Sequence, residues 1–260
     1  MNPAVEAPTT QRPQRVLDID LDFFVVPPAH GPDYRTRLSS DDHAVWPTEE
    51  ALAFLSNRCG LRQRMPGFVT ENHGELFLRW REAIEAGMLV PPFHVTHVDA
   101  HADLGLGDAG YTYVLSELLF ENPEDRTQPR FGFSGLNDGN HLIFAIACRW
   151  ITDLVYVYGE GGGGDELAYV MEDFGATRPH RNVQLAAMRR PELEKLIHRS
   201  GSPPDVSHLE PPVPYASTRW EQFQADVPYD FICLTHSPPF TPESADPLFA
   251  VIRDQLIEPI

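Results

Sequence analysis

The sequence predicts a three-layer α/β/α fold on a mainly parallel sheet, and three observations carry that expectation. Short apolar runs rich in β-branched and aromatic residues recur at 16–24, 93–98, 154–158 and 230–235, with the length and composition of buried strands. Stretches with helical spacing of apolar residues lie between them, and strands alternating with helices give parallel sheets covered on both faces. With 260 residues, 42% hydrophobic and 10% aromatic, the chain can bury a large core as one domain. The expected organisation is a flexible, proline-punctuated segment over 1–15 and a single domain over 16–260.

In the first strand Asp18, Asp20 and Asp22 alternate with Ile19, Leu21 and Phe23. The apolar set faces a core, and the carboxylates gather on the other face or at the strand's carboxyl end, where open α/β sheets bind ligands. Pro27, Pro28 and Gly31-Pro32 then open an irregular segment. A helix starts at Thr48, a possible cap, with Glu49 and Glu50 at the favourable end of the dipole and Gly60 as its stop. Leu76, Leu78, Trp80, Ala83 and Ile84 mark an amphipathic helix over about 75–86, with His73 at its entrance. The strand 93–98 runs directly into Asp99-Ala100-His101-Ala102-Asp103.

Helical character returns at 113–120 and 142–150, around a polar loop at 123–139. The strand 154–158 ends in Gly159-Glu160-Gly161-Gly162-Gly163-Gly164, which has neither a phosphate-loop lysine nor a dinucleotide-binding spacing and reads as a mobile loop. A short helix with proline in its first turn fits 191–198, a proline-rich surface excursion fits 202–214, and a closing helix begins near Ala245.

Asp99, His101 and Asp103 stand at i, i+2 and i+4, so in an extended segment they share one face, with Ala100 and Ala102 leaving room around them. Gathering these carboxylates with those of the first strand is unfavourable. Each like-charged pair about 4 Å apart costs roughly 1 kcal/mol in water and about 4 kcal/mol at an effective dielectric of 20. Protonation relieves one or two groups, whereas divalent metal relieves all of them and gives the imidazole a partner. The alternatives are a capped turn after a buried strand and a strand with one solvent face. An EF-hand is excluded, because its required glycine would be Phe23 and its terminal glutamate Ala29. A haloacid-dehalogenase-type aspartate pair at Asp18-Ile19-Asp20 leaves Asp99–Asp103 unexplained.

The net charge of −18 and a pI near 4.9 argue against a nucleic-acid groove or an anionic membrane surface and suit a metal-loaded pocket or cationic substrates. Cys59, Cys148 and Cys233 are scattered, with no CxxC spacing. They are expected as buried free thiols, and the expected compartment is the reducing cytoplasm. No run is long enough to span a bilayer, and residues 1–15 lack the apolar core of a signal peptide.

Asp99-Ala-His101-Ala-Asp103 resembles the DAHxD signature of the arginase and ureohydrolase superfamily, with Asp20-Leu-Asp22 in the role of its Asp-x-Asp pair. Together with Leu17–Phe24 and Glu71-Asn72-His73, it resembles an arginase-related family that includes peptide arginases, which modify ribosomally made peptides. The resemblance implies an arginase-like fold and two Mn²⁺ ions. It places His73, Asp99, Asp103 and Asp20 on one ion and His101, Asp99, Asp20 and Asp22 on the other. Asp18 would stand behind the ligands, or replace Asp22 if the register shifts by two.

The Asp-x-Asp strand precedes DAHxD here, which implies a circular permutation, and Glu71-Asn72-His73-Gly74 stands where ordinary arginases carry Gly-Gly-Asp-His. The implied reaction converts arginine side chains of a precursor peptide to ornithine and urea. Asp103 orients the nucleophile and passes on a proton, and His236 acts as a shuttle. Glu71, Glu160, Asn140 and His141 are candidates for substrate binding, in a groove edged by the glycine-rich and proline-rich excursions. Competing expectations are another ureohydrolase, a deacetylase-like metal amidohydrolase, and a metal-binding regulatory protein without turnover.

Overall fold

A computed structural model describes residues 12–30, 33–198 and 203–260. Eight strands share one sheet: β1 (Arg15–Asp20), β2 (Met65–Thr70), β3 (Phe93–Val98), β4 (Ile151–Tyr158), β5 (Asn182–Val183), β6 (Val213–Arg219), β7 (Phe231–Thr235) and β8 (Ile257–Pro259). Their order is β8-β2-β7-β1-β3-β4-β6-β5, and every neighbouring pair is parallel except β6 with β5.

The helices are α1 (Thr48–Asn57), α2 (His73–Glu85), α3 (Gly110–Ser116), α4 (His141–Ala147), α5 (Arg190–Ile197) and α6 (Asp246–Leu256). On one sheet face Leu17, Ile19, Val98 and Leu234 pack with Phe54 and Leu55 of α1 and with Leu248 and Ile252 of α6. On the other face Val16, Val95 and Tyr156 pack with Phe77 and Trp80 of α2, Val114 of α3, Phe144 of α4 and Leu193 of α5. This is the three-layer α/β/α arrangement with a mainly parallel sheet.

Both sheet faces are covered, so β1 is buried through Asp20 instead of presenting its carboxylates to solvent. The expected strand over 16–24 stops there. Leu21–Phe24 forms a 3-10 turn in which the Asp20 side chain accepts a hydrogen bond from the Asp22 backbone N–H, the local competition by which aspartate ends regular structure. Helix α1 takes Pro47 as its N-cap, with no side-chain bond, so Thr48 is already inside the helix. Asn72 caps α2 by accepting from Glu75 N–H at 2.9 Å, which starts the helix two residues before the expected position and puts His73 in its first turn.

Four strands of the sheet, β2, β5, β6 and β8, lie where no strand is expected from composition or alternation. In β2, Met65-Pro66-Gly67 reads as a turn, yet Gly67 is required for strand packing: a Cβ there would lie 1.8 Å from the Ile232 carbonyl oxygen. The proline-rich excursion runs into β6, in which Val213 and Pro214 pair only with β5 and Tyr215–Arg219 only with β4, so Pro214 has a strand on one side alone, where proline is tolerated. β8 is the opposite edge. Of the segment expected to be flexible, Arg12 pairs with Asp230 at 2.9 Å and Arg15 opens β1, while residues 1–11 lie outside the described residues. All three cysteines are buried and free. Among the described residues no helix is long and apolar enough to cross a membrane.

Candidate metal centre

The chain leaves β1 for β2 on one side and returns through α2 to β3 on the other, so the strand order reverses between β1 and β3. At such a reversal the connections diverge and leave a crevice at the carboxyl ends of the strands. Asp20 ends β1, Asp22 lies in the turn beyond it, and Asp99 follows β3 directly. His73 enters from the amino end of α2.

The segment after β3 is a turn, not the extended run expected from its alternation. Asp99 Oδ1 accepts from His101 N–H at 2.7 Å, and Asp165 Oδ2 accepts from Ala102 N–H at 3.2 Å. Asp103 has φ of 49°, a left-handed conformation that aspartate tolerates better than most residues at a cost of about 1 kcal/mol. The turn brings Asp103 back over Asp99 and His73.

All six residues assigned as ligands meet here. His73 Nδ1 lies 2.7 Å from Asp103 Oδ2, 3.4 Å from Asp20 Oδ2 and 3.9 Å from Asp99 Oδ2. His101 Nδ1 lies 3.0 Å from Asp22 Oδ2 and 3.7 Å from Asp99 Oδ1. Two groups, Asp20 with His73 and Asp99, and Asp22 with Asp99 and His101, each have ligand atoms within 4.8 Å of one another and share Asp99. Ser237, after β7, donates its hydroxyl to Asp20 Oδ2 and so fixes that carboxylate.

The electrostatics fit a cation. Burial and the neighbouring carboxylates of Asp22 and Asp99 push Asp20 well above the usual carboxylate range. Burial with Asp22 and Asp103 lifts Asp99 to about 7. Burial opposes charge on His101, but Asp22, Asp99 and Asp103 overcome it and raise the imidazole to about 10. Burial also opposes ionisation of Asp103, yet His73 and His141 hold it well below the ordinary range.

Asp103 Oδ2 is buried and, despite its short approach to His73, makes no aligned hydrogen bond. That is how atoms lie when they face a common point instead of each other. No lysine or arginine lines the cavity among the described residues. Oxygen and imidazole donors without thiolate suit a divalent cation of the manganese or iron type better than structural zinc.

The cavity has a volume of about 390 Å³. His30 and Phe240 stand edge-on to His101, and Tyr34 and Leu106, 65% and 55% exposed, border the opening. Asp108, Asp138 and Asp165 also line it.

Several assigned residues lie elsewhere. Glu71 is exposed and outside the cavity, 3.2 Å from His236 Nδ1. His236 directs its other nitrogen to Asp246 at 2.9 Å and stacks on Phe249, so both nitrogens are engaged away from the ligands. Glu160 is exposed and lines a separate groove with Trp46 and Trp220. Asn140 is buried and structural, donating to Gly135 O and accepting from Asn137 N–H. His141 is fully buried beneath the ligands, between Asp18 and Asp103.

The proline-rich excursion does not border the cavity. The glycine run packs on the turn after β3, where a Cβ at Gly162 would lie 2.6 Å from Ala100 O, and it leads to Asp165. His97 was hidden in an apolar strand. Its signal is spacing: it precedes Asp99 by two residues, as Asp18 precedes Asp20. Ser237, Asp108, Asp138 and Asp165 carry no comparable signal, since loop paths place them. Comparisons with protein-family models, with curated proteins and with solved structures find no match to this chain.

Proposed function

We propose that this chain is a manganese-dependent peptide arginase, a hydrolase of linear amidines that converts arginine side chains in a precursor peptide to ornithine with release of urea. The observation that carries the reading is the pair of ligand groups sharing Asp99 at the reversal between β1 and β3. It is supported by the partial agreement of these groups with the sets implied by the resemblance: each group supplies three of the four residues of one set, and Asp103 stands 2.7 Å from His73. Asp20, His73, Asp99 and Asp103 would hold one Mn²⁺, and Asp20, Asp22, Asp99 and His101 the other. Two such ions would supply hydroxide at neutral pH to attack the guanidinium carbon.

The protein's own part is to hold and orient. Asp103 Oδ2 faces His73 and His141, and its other oxygen would hold a proton for the departing ornithine nitrogen as the C–N bond breaks. Asp108, Asp138 and Asp165 take the place of Glu71 and Glu160 as acids that meet the substrate cation. Asp108 Oδ2 and Asp165 Oδ1 are buried without hydrogen-bond partners. The opening bordered by Tyr34 and Leu106 suits a side chain presented by a peptide backbone.

The test incubates the purified chain and Mn²⁺ with a panel of arginine-containing peptides and reads a loss of about 42 Da per converted arginine, with urea released. Urea from free arginine alone moves the assignment to an ordinary ureohydrolase. Acetate from acetylated amines moves it to a deacetylase-like enzyme, and metal binding without any product moves it to a regulatory protein.

A further inference from the structure

We propose that Asp18 is a positioning residue that sets the ligand carboxylates Asp99 and Asp103 through two imidazole bridges, His97 and His141. This rests on the metal reading of the cavity. Asp18 and His97 are register partners on β1 and β3, and each stands two residues before a ligand aspartate, so all four side chains point to the same sheet face. His141 reaches this layer from the first residue of α4. Asp18, His97 and His141 are fully buried.

Each ring is hydrogen-bonded to Asp18 on its inner side and lies against a ligand carboxylate on its outer side, where the contact is close but not an aligned hydrogen bond. His97 directs Nδ1 to Asp18 Oδ2 at 2.9 Å and Nε2 to Asp99 Oδ2 at 3.2 Å. His141 directs Nε2 to Asp18 Oδ2 at 3.2 Å and Nδ1 to Asp103 Oδ2 at 3.1 Å. His73 has Nε2 at 3.7 Å from Asp18 Oδ1, with Nδ1 among the ligands. One carboxylate oxygen thus anchors the inner side of two rings, His97 and His141, whose outer nitrogens face the ligand layer, while Asp18 Oδ1 and His73 Nε2 are buried without hydrogen-bond partners.

The same four residues, Asp18, His73, His97 and His141, have donor atoms within 4.8 Å of one another and offer the geometry of a third cation site. Bridging is the stronger reading, because His97 and His141 already make aligned hydrogen bonds to one Asp18 oxygen. Outer partners of this kind fix ring orientation and ligand geometry.

The experiment titrates Mn²⁺ alone into the full chain by calorimetry and records the Mn²⁺ EPR spectrum, with circular dichroism as the check on folding. Wild type is expected to take two ions with an exchange-coupled spectrum. Asp18→Asn keeps the shape but replaces one acceptor oxygen with a donor. It is expected to bind Mn²⁺ about 10–100-fold more weakly, with altered coupling.

His141→Gln removes the link from Asp18 to Asp103 and the ring stacked on His73 but keeps the link through His97 to Asp99, and is expected to weaken the ion beside His73 and Asp103 while leaving the other in place. It decides the matter if Asp18→Asn does not fold. A folded Asp18→Asn variant with wild-type affinity and spectrum overturns the inference alone, as does a His141→Gln variant that binds both ions like wild type. A third ion in wild type that Asp18→Asn loses overturns it in favour of a cation site. Wild type that takes up no Mn²⁺ overturns the metal reading and this inference with it.

Discussion

Two buried groups of charge in this molecule are built in opposite ways. Glu210, 3% exposed, lies 2.8 Å from Arg126, itself 2% exposed, and 2.9 Å from Arg149. Burial opposes its ionisation, but Arg126 and Arg149 hold it below the ordinary carboxylate range. Arg126 also donates to the carbonyls of Leu119, Glu121 and Ala147. This group carries its own cations. At the β1 and β3 ends, Asp20, Asp22 and Asp99 face one another, and burial with mutual repulsion raises Asp20 and Asp99. Buried acids with their counter-charges built in hold a fold together, whereas buried acids short of positive charge leave room for a cation from outside.

The sharpest way to break this contrast is to remove the shared ligand. Asp99→Ala is expected to abolish uptake of both Mn²⁺ ions in a calorimetric titration, while Glu210→Gln keeps the wild-type stoichiometry. Retained stoichiometry in Asp99→Ala would take that residue out of both groups.

Stability should divide the two clusters next. Glu210→Gln leaves Arg126 buried without its partner and is expected to cost about 3–5 kcal/mol in urea unfolding. Asp99→Asn relieves repulsion, and in metal-free protein it is expected to raise Tm, by roughly 2–4 °C for each kcal/mol gained. A loss of stability in both variants would erase the distinction.

Acidity should sort the clusters with opposite signs. The folded-state values of Asp20 and Asp99 are raised, so their contribution to metal-free stability is complete below the ordinary carboxylate value of about 4. It is lost as pH rises, through about 7 for Asp99. Glu210 is lowered, so its contribution is present above the ordinary range and lost on acidification. Metal needs the deprotonated carboxylates, so the Tm gain from saturating Mn²⁺ is expected to grow from about pH 5 to about pH 8. Thermal scans showing a gain independent of pH would exclude Asp20 and Asp99 as ligands.

The smallest effect is expected at Ser237. Ser237→Ala removes the hydroxyl that fixes Asp20, and Mn²⁺ affinity should fall about tenfold by calorimetry. An unchanged affinity would mean that Asp20 is held by the 3-10 turn alone.

How far the sequence can be read follows from where its signals are local. β1, β3, β4 and β7 are apolar runs whose composition favours buried strands anywhere. β2, β6 and β8 contain Pro66, Pro214 and Pro259. Their strand character comes from neighbours: β7 for β2, β4 for β6 and β2 for β8. Within the site, Asp20, Asp22, Asp99, His101 and Asp103 are legible because regular spacing of charged groups in apolar segments is conspicuous. Glu71, Asn140, Glu160 and His236 stand out in the sequence only by chemical type, and type does not say which way a loop turns.

Periodicity and composition act over a few neighbouring residues, and they suffice for the alternation of strands and helices and for the two acidic segments at strand ends. Tertiary structure decided that β1 and β3 lie side by side, that His73 enters from α2, and that Asp18, His97 and His141 form a buried layer beneath the ligands. Those contacts join residues far apart in the chain, and only the packing of helices on both sheet faces fixes their distances.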